Sequence, residues 1–92
     1  MRFIWDEAKR KSNLRKHGLD FADAHRVFEG VVVQQPDTRF QYDERRNIAV
    51  GMLDALVVIV VHVEADEIIR IISMRRATRN ETNFYHENIG TH

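Results

Sequence analysis

Residues 56–75, LVVIVVHVEADEIIRIISMR, hold two apolar stretches around an acidic turn. The first stretch, 56–63, is β-branched with little alternation, which is typical of a central strand covered on both faces. The second, 67–75, predicts another strand, because side chains alternate between the faces of a sheet. That alternation places Ile69 and Ile71 on one face, and on the other face Ile68, Arg70, Ile72 and Met74.

Three shorter segments predict further strands. They are RFIW at 2–5, VVVQQ at 31–35, which ends at Pro36, and NIAVGML at 47–53. Polar residues 37–44 read as a loop, in which Phe40 and Tyr42 are candidates either for stacking on bases or for covering the core.

Capping residues predict three helices. Asp6 is an N-cap for a helix that ends at Gly18, and Asp20 begins a second helix with Asp23 in a variant of the capping box. The third helix, of about ten residues, follows the capping box of residues 78–81, Thr-Arg-Asn-Glu. The order β-αα-ββββ-α predicts an α+β fold over residues 1–92 as a single domain. Its sheet is mostly antiparallel, with a helical hairpin on one face.

Composition narrows the class of protein. The 92 residues include 14 Lys or Arg and 14 Asp or Glu, with 43% hydrophobic residues, a balance typical of soluble globular proteins. The absence of cysteine excludes disulfides and cysteine nucleophiles. The longest strictly apolar run, 55–61, is too short to span a membrane, and MRFIWDEAKRK lacks the apolar region of a signal peptide. We therefore expect a cytoplasmic protein with no membrane partner.

Positive charge lies in two blocks that contain no acidic residue. Nine of the fourteen basic residues occur in residues 9–16 and 70–79. If the fold brings the blocks together, the protein presents a basic face that attracts polyanions. The alternative is two unrelated solvated surfaces. In the second block Arg75 and Arg76, together with Arg79 at the start of a helix, form a dense candidate anion site.

The available side chains restrict the chemistry. The five histidines lack metal-ligand spacing, and no glycine-rich nucleotide motif occurs, so neither a metal nor a cofactor is predicted. Arginine, histidine and glutamate suffice for metal-free cleavage of RNA, in which the 2′-hydroxyl attacks the neighbouring phosphate. Arginine suits the phosphate because its guanidinium is planar, bidentate and always charged.

The sequence leaves two possible roles for each of several candidate site residues. His62 is either a histidine at a strand end or a proton-transfer group, and His17 is either a partner of the helix dipole or a second such group. The sequence does not decide which residue is the general base, and the candidates are His62, His17 and Glu44. Arg70 lies among isoleucines, so it either faces an open ligand-binding side or pairs with an acid such as Glu44, Glu64 or Glu81.

Two motifs carry a family resemblance. They are W-D-x-x-K-x-x-x-N-x-x-K-H-G, beginning at Trp5, and R-I-I-S-x-R-x-A-T-x-x-E, beginning at Arg70. With these motifs, the chain from residue 3 to about 85 resembles BrnT-type toxins of bacterial toxin–antitoxin systems. The connection at residues 53–55 departs from the pattern because it lacks the usual glycine.

The resemblance implies a RelE-like fold, a ribonuclease toxin that blocks translation, and a BrnA-type antitoxin. It also implies a heterotetramer of two toxins and two antitoxins, which reaches operator DNA only through the antitoxin.

The resulting hypothesis is a metal-independent endoribonuclease that acts on mRNA. Three arginines would hold the scissile phosphate, His62 would be the favoured proton-transfer group with His17 second, and three cations would steer the RNA. The phosphate-holding residues are Arg70, Arg75 and Arg76, and the steering residues are Lys9, Lys16 and Arg79. The alternative is a non-catalytic binding module whose basic face receives an acidic antitoxin and contributes to operator binding.

Overall fold

The computed structural model describes residues 1–39, 41 and 43–90, so the interpretations of Phe40 and Tyr42 fall outside the described residues. In chain order, the elements are β1 (Arg2–Trp5), α1 (Glu7–His17), a 3-10 turn (Phe21–Asp23), α2 (Ala24–Glu29), β2 (Val33–Pro36), β3 (Asn47–Leu53), β4 (Leu56–Ala65), β5 (Ile68–Arg76) and α3 (Arg79–Asn88). This order confirms the α+β prediction.

The strands form one sheet in the order β1-β5-β4-β3-β2. Only β1 pairs in parallel, with β5, so within the described part of the chain the sheet is mostly antiparallel. β4 is central and buried over 57–62, as its apolar sequence predicts. β2 starts at Val33 rather than Val31 and includes Pro36, which an edge strand tolerates because one side of it needs no N–H donor.

Helices α1 and α2 cover one face of the sheet, which we call the hairpin face. The main core lies there and includes Phe21, Val27, Ile69 and Ile71, all no more than 1% exposed. Gly51 allows α2 to approach β3 closely, because a Cβ at this position would lie 2.8 Å from Val27 Cγ1. Burial of these apolar side chains is the main source of stability.

Helix α3 packs on the opposite face, which we call the α3 face. Thr78 begins the helix with the predicted capping box, in which its side chain and that of Glu81 exchange hydrogen bonds with each other's backbone N–H. Tyr85 anchors the helix, since its ring is buried against Val50 and Ile59 and its hydroxyl donates to Val31 O at 2.8 Å. No helix of the described residues is long and apolar enough to cross a bilayer.

Two local predictions need correction. Asp20 caps a 3-10 turn, in which its side chain accepts from Ala22 N, and α2 begins only at Ala24. Asp23 therefore does not complete a capping box. The Leu53–Leu56 connection forms without glycine because Asp54 adopts a left-handed φ of 55°.

Candidate functional site

The arginines of β5 share a face because the strand contains one extra residue. Val61 pairs with Ser73 and His62 with Ile71, so Ile72 has no partner of its own and the register shifts. Beyond this bulge the alternation is reversed, and Met74 joins Ile69 and Ile71 in the hairpin-face core. The prediction that Met74 shares a face with Arg70 is therefore wrong.

The bulge determines where Arg75 lies. Residues five apart in a regular strand point to opposite faces. With Ile72 inserted, Arg70, Ser73 and Arg75 all lie on the α3 face, where Arg75 pairs with Ile59 and Ser73 with Val61. Bulges commonly re-aim side chains in this way.

Arg75 is held by the first turn of α3. Its NH1 and NH2 groups donate to the two carboxylate oxygens of Glu81 at 2.8 and 2.9 Å, and NH1 also reaches Arg76 O at 3.3 Å. The hydrogen bond from Arg75 lowers the pKa of Glu81 to about 2, so this carboxylate stays ionised. A guanidinium has five N–H donors. Two donors of Arg75 therefore remain unused by the described residues.

Arg70 lies on the same face and binds Glu44, which belongs to the segment between β2 and β3. The ion-pair interpretation of Arg70 is confirmed with Glu44 as the acid, while the ligand-binding interpretation of this 36% exposed side chain stays a prediction. The hydrogen bond from Arg70 lowers the pKa of Glu44, and the charges of Arg46 and Lys9 add to the effect. One cation of α1 thus acts electrostatically on the partner of Arg70.

A cavity of about 550 Å³ opens on the α3 face beside Arg75. Its floor consists of apolar side chains from β3 and β4, namely Ile48, Val50, Ile59 and Val61. Polar groups of the surrounding elements and the ring of Phe84 complete the wall. The cavity therefore combines an apolar base with a cationic edge.

His62 lies on the other side of the sheet. It is 0% exposed and packs edge-on against Phe28 of α2, with ring centroids 5.1 Å apart. Burial lowers the pKa of His62, so its neutral form is favoured. The sheet separates it from Arg70 and Arg75, and its predicted part in proton transfer stays a prediction.

The remaining predicted residues are exposed and are not joined to these two arginines by side-chain contacts. His17 and Lys16 end α1, and the side chain of neither forms a hydrogen bond or ion pair with another described residue. Arg76 ends β5 and Arg79 begins α3, which places both close to Arg75 along the chain. The described residues contain no group of three or more histidine, aspartate or glutamate side chains arranged to hold a metal ion.

Asn13 is a structural residue that sequence reasoning missed. Its amide accepts from Met74 N at 3.1 Å and donates to Met74 O at 2.9 Å and to Leu19 O at 3.2 Å. β1 pairs with β5 only as far as Ile71, so this side chain satisfies the edge of β5 beyond the end of β1. The available signal was the asparagine of the motif that begins at Trp5, which lies in a helix of mostly charged residues.

Comparison with known proteins places the sequence in a family. No curated protein matches the chain at a significant level. Residues 5–81 match the sequence profile of a family described as "Ribonuclease toxin, BrnT, of type II toxin-antitoxin system". The match covers both motifs, from Trp5 to Glu81. The chain therefore belongs to the BrnT family of ribonuclease toxins, whose type II systems pair a toxin with an antitoxin.

Proposed function

We propose that this protein is a metal-independent endoribonuclease that cleaves mRNA by attack of the 2′-hydroxyl on the adjacent phosphate. The P–O5′ bond then breaks, which leaves a 2′,3′-cyclic phosphate and a 5′-hydroxyl. One observation carries the proposal: the bulge at Ile72 puts Arg70 and Arg75 on one face of β5, both partly exposed. Two guanidiniums on one face suit a phosphate that gains charge in the transition state.

The arginines hold the phosphate and its developing charge. Arg75 retains two N–H donors for it, and Arg70 retains four beyond its bond to Glu44. Arg76 adds charge at the end of the same strand. The RNA backbone is steered by exposed cations, namely Lys9, Lys16 and Arg79.

The placement of the side chains favours Glu44 as the proton acceptor. Glu44 binds Arg70 on the α3 face, whereas His62 is buried beneath the other face and His17 ends α1. A carboxylate with a lowered pKa is ionised at neutral pH and is ready to accept the 2′-hydroxyl proton, although as a weak base. Activity should therefore fall only in acid, as Glu44 becomes protonated below its ordinary pKa.

The experiment incubates the purified chain with RNA in EDTA and maps the product ends. We expect cyclic phosphate ends from the wild type. For Arg75→Ala we expect a loss of kcat/KM of roughly 10²–10³-fold, the usual effect of removing one transition-state donor. Arg15→Ala removes an exposed charge of α1 outside the proposed site and should cleave at the wild-type rate. Intact RNA with and without ribosomes, or equal losses in the two variants, would contradict the proposal.

We also propose five further properties that the family resemblance implies. These are a BrnA-type antitoxin, a heterotetramer of two toxins and two antitoxins, operator DNA bound only through the antitoxin, a RelE-like topology and a cytoplasmic location. The β-αα-ββββ-α order supports the topology. Native mass spectrometry of the co-expressed pair tests the stoichiometry, and a 1:1 complex would contradict it.

The second candidate is a non-catalytic module that receives an acidic antitoxin and contributes to operator binding. One observation favours it: Arg70 and Arg75 each already bind a carboxylate, Glu44 and Glu81, as arginines do in protein interfaces. Growth assays separate the two candidates. If the protein is an enzyme, Arg70→Ala and Arg75→Ala relieve growth arrest while antitoxin binding persists. If it is a module, the same substitutions abolish antitoxin binding.

A further inference from the structure

We infer that the cavity on the α3 face binds one unpaired base of the RNA, and that this base sets the sequence preference of cleavage. The inference rests on the proposed function, because the base belongs to the strand whose phosphate meets Arg75. It adds a recognition site to the phosphate site.

The size and floor of the cavity fit a flat aromatic ligand. A volume of about 550 Å³ lies within the range of small-ligand sites and exceeds that of one base. Val50 and Ile59 are 5% and 3% exposed, so the floor is a fixed part of the second core cluster. An apolar floor gains from covering the face of a base and carries no sequence preference of its own.

Phe84 supplies a stacking surface at the mouth. It lines the cavity and is 40% exposed, while Tyr85, the next residue of α3, anchors the helix in the core. A large aromatic ring left exposed beside a cationic group is the arrangement that proteins use to stack single-stranded bases. The buried anchor holds that ring in place without closing the cavity.

Polar side chains around the cavity can distinguish one base from another. Four of these side chains make no hydrogen bond with any other described residue, so their donors and acceptors remain available to a ligand. They are Gln35, Thr38, Ser73 and Asn80. They come from four separate positions in the fold, so they can address several atoms of a base edge.

The apolar floor and the Phe84 ring, rather than the charge of the wall, favour RNA over an acidic protein segment as the occupant. The charged lining residues are Arg39, Arg75 and Glu81, and each arginine is bound to a carboxylate, Arg39 to Asp37 and Arg75 to Glu81. A nucleotide places its base on the apolar floor and its phosphate at the unused donors of Arg75. An acidic peptide would match the charge but would leave the flat floor and the Phe84 ring without an aromatic partner.

The test titrates the methyl-labelled protein with nucleoside 3′-monophosphates of the four bases, followed by NMR. We expect the Ile48 and Val61 methyl signals to shift, with one base bound more tightly than the others. Phe84→Ala should weaken that binding roughly 5- to 150-fold, the usual contribution of one stacked base. Phe84→Tyr keeps the ring and should bind as the wild type does. Ribose 5-phosphate lacks a base, so Phe84→Ala and Phe84→Tyr should bind it equally.

Cleavage mapping separates this inference from the proposed function. If the wild type cuts RNA and Phe84→Ala keeps the same base preference and nucleotide affinity, the base site is refuted while the enzyme stands. If nucleotides shift the cavity methyls but no RNA is cut, the base site stands and catalysis fails. Methyl shifts with an antitoxin peptide and with none of the nucleotides would also refute the inference.

Discussion

The two faces of the sheet differ in the burial of their polar side chains. On the hairpin face, His62 packs against Phe28 of α2 and Asn13 of α1 binds Met74, and both polar side chains are buried. On the α3 face, Arg70 and Arg75 are each 36% exposed and bound to carboxylates, and Arg75 lines an open cavity. One face therefore carries most of the stability, while the other keeps cations partly exposed. Substitutions on the two faces should therefore have separable effects.

The largest contrast is expected between two phenylalanines. Phe21→Ala removes a ring that is 1% exposed in the hairpin-face core and should cost about 3–5 kcal/mol of unfolding free energy. Phe84→Ala removes a ring that is 40% exposed and should cost well below half of that. Urea unfolding of both variants checks this. Equal losses of unfolding free energy would show that both faces contribute similarly to stability.

Asn13→Leu tests the amide that completes the edge of β5. The variant keeps a branched side chain but leaves the buried N–H and C=O of Met74 without this partner, so we expect a loss of roughly 2–3 kcal/mol. Ser12→Ala, one residue away on the same helix, is the matched control and should change little. A melting temperature equal to that of the control would show that the amide is dispensable.

The buried imidazole predicts a pH dependence of stability. Burial lowers the pKa of His62 below its ordinary value of about 6.5, so the unfolded chain binds the proton more strongly than the folded one. Its contribution is fully present above pH 6.5 and is lost as the pH falls toward the folded pKa, by at most about 1.4 kcal/mol per pH unit.

Unfolding free energies measured between pH 7.5 and 5 check this sign. His62→Leu should flatten the slope, because the variant lacks the buried imidazole. An equal slope in His62→Leu would assign the dependence to other groups.

The smallest effect is expected at the β4–β5 turn, away from both faces. Asp66 and Glu67 adopt left-handed φ values of 51° and 65°, which glycine accepts without strain. Glu67→Gly should raise the unfolding free energy by about 0.5–1 kcal/mol and leave cleavage unchanged. Glu64→Gly, in the adjoining strand, should instead destabilise the protein. A destabilised Glu67→Gly variant would show that its side chain has a role in the fold.

Much of the fold could be predicted because its signals are local. The apolar run 56–63 identified the central strand, and the capping residues Asp6, Gly18 and Thr78 marked helix ends. Each signal depends on hydrogen bonds or periodicity within a few residues. The arginines of the candidate site were visible for the same reason, since they form a block without acids.

The elements, their order and the two cationic blocks depend on neighbours along the chain, so they could be predicted from the residues alone. The face that each side chain occupies depends on packing in the folded protein. One unpaired residue, Ile72, carries Arg75 to the face of Arg70 and sends Met74 into the core. The side-chain period of a strand is two, so a shift of one residue exchanges the faces, and packing against both neighbouring layers selects the register.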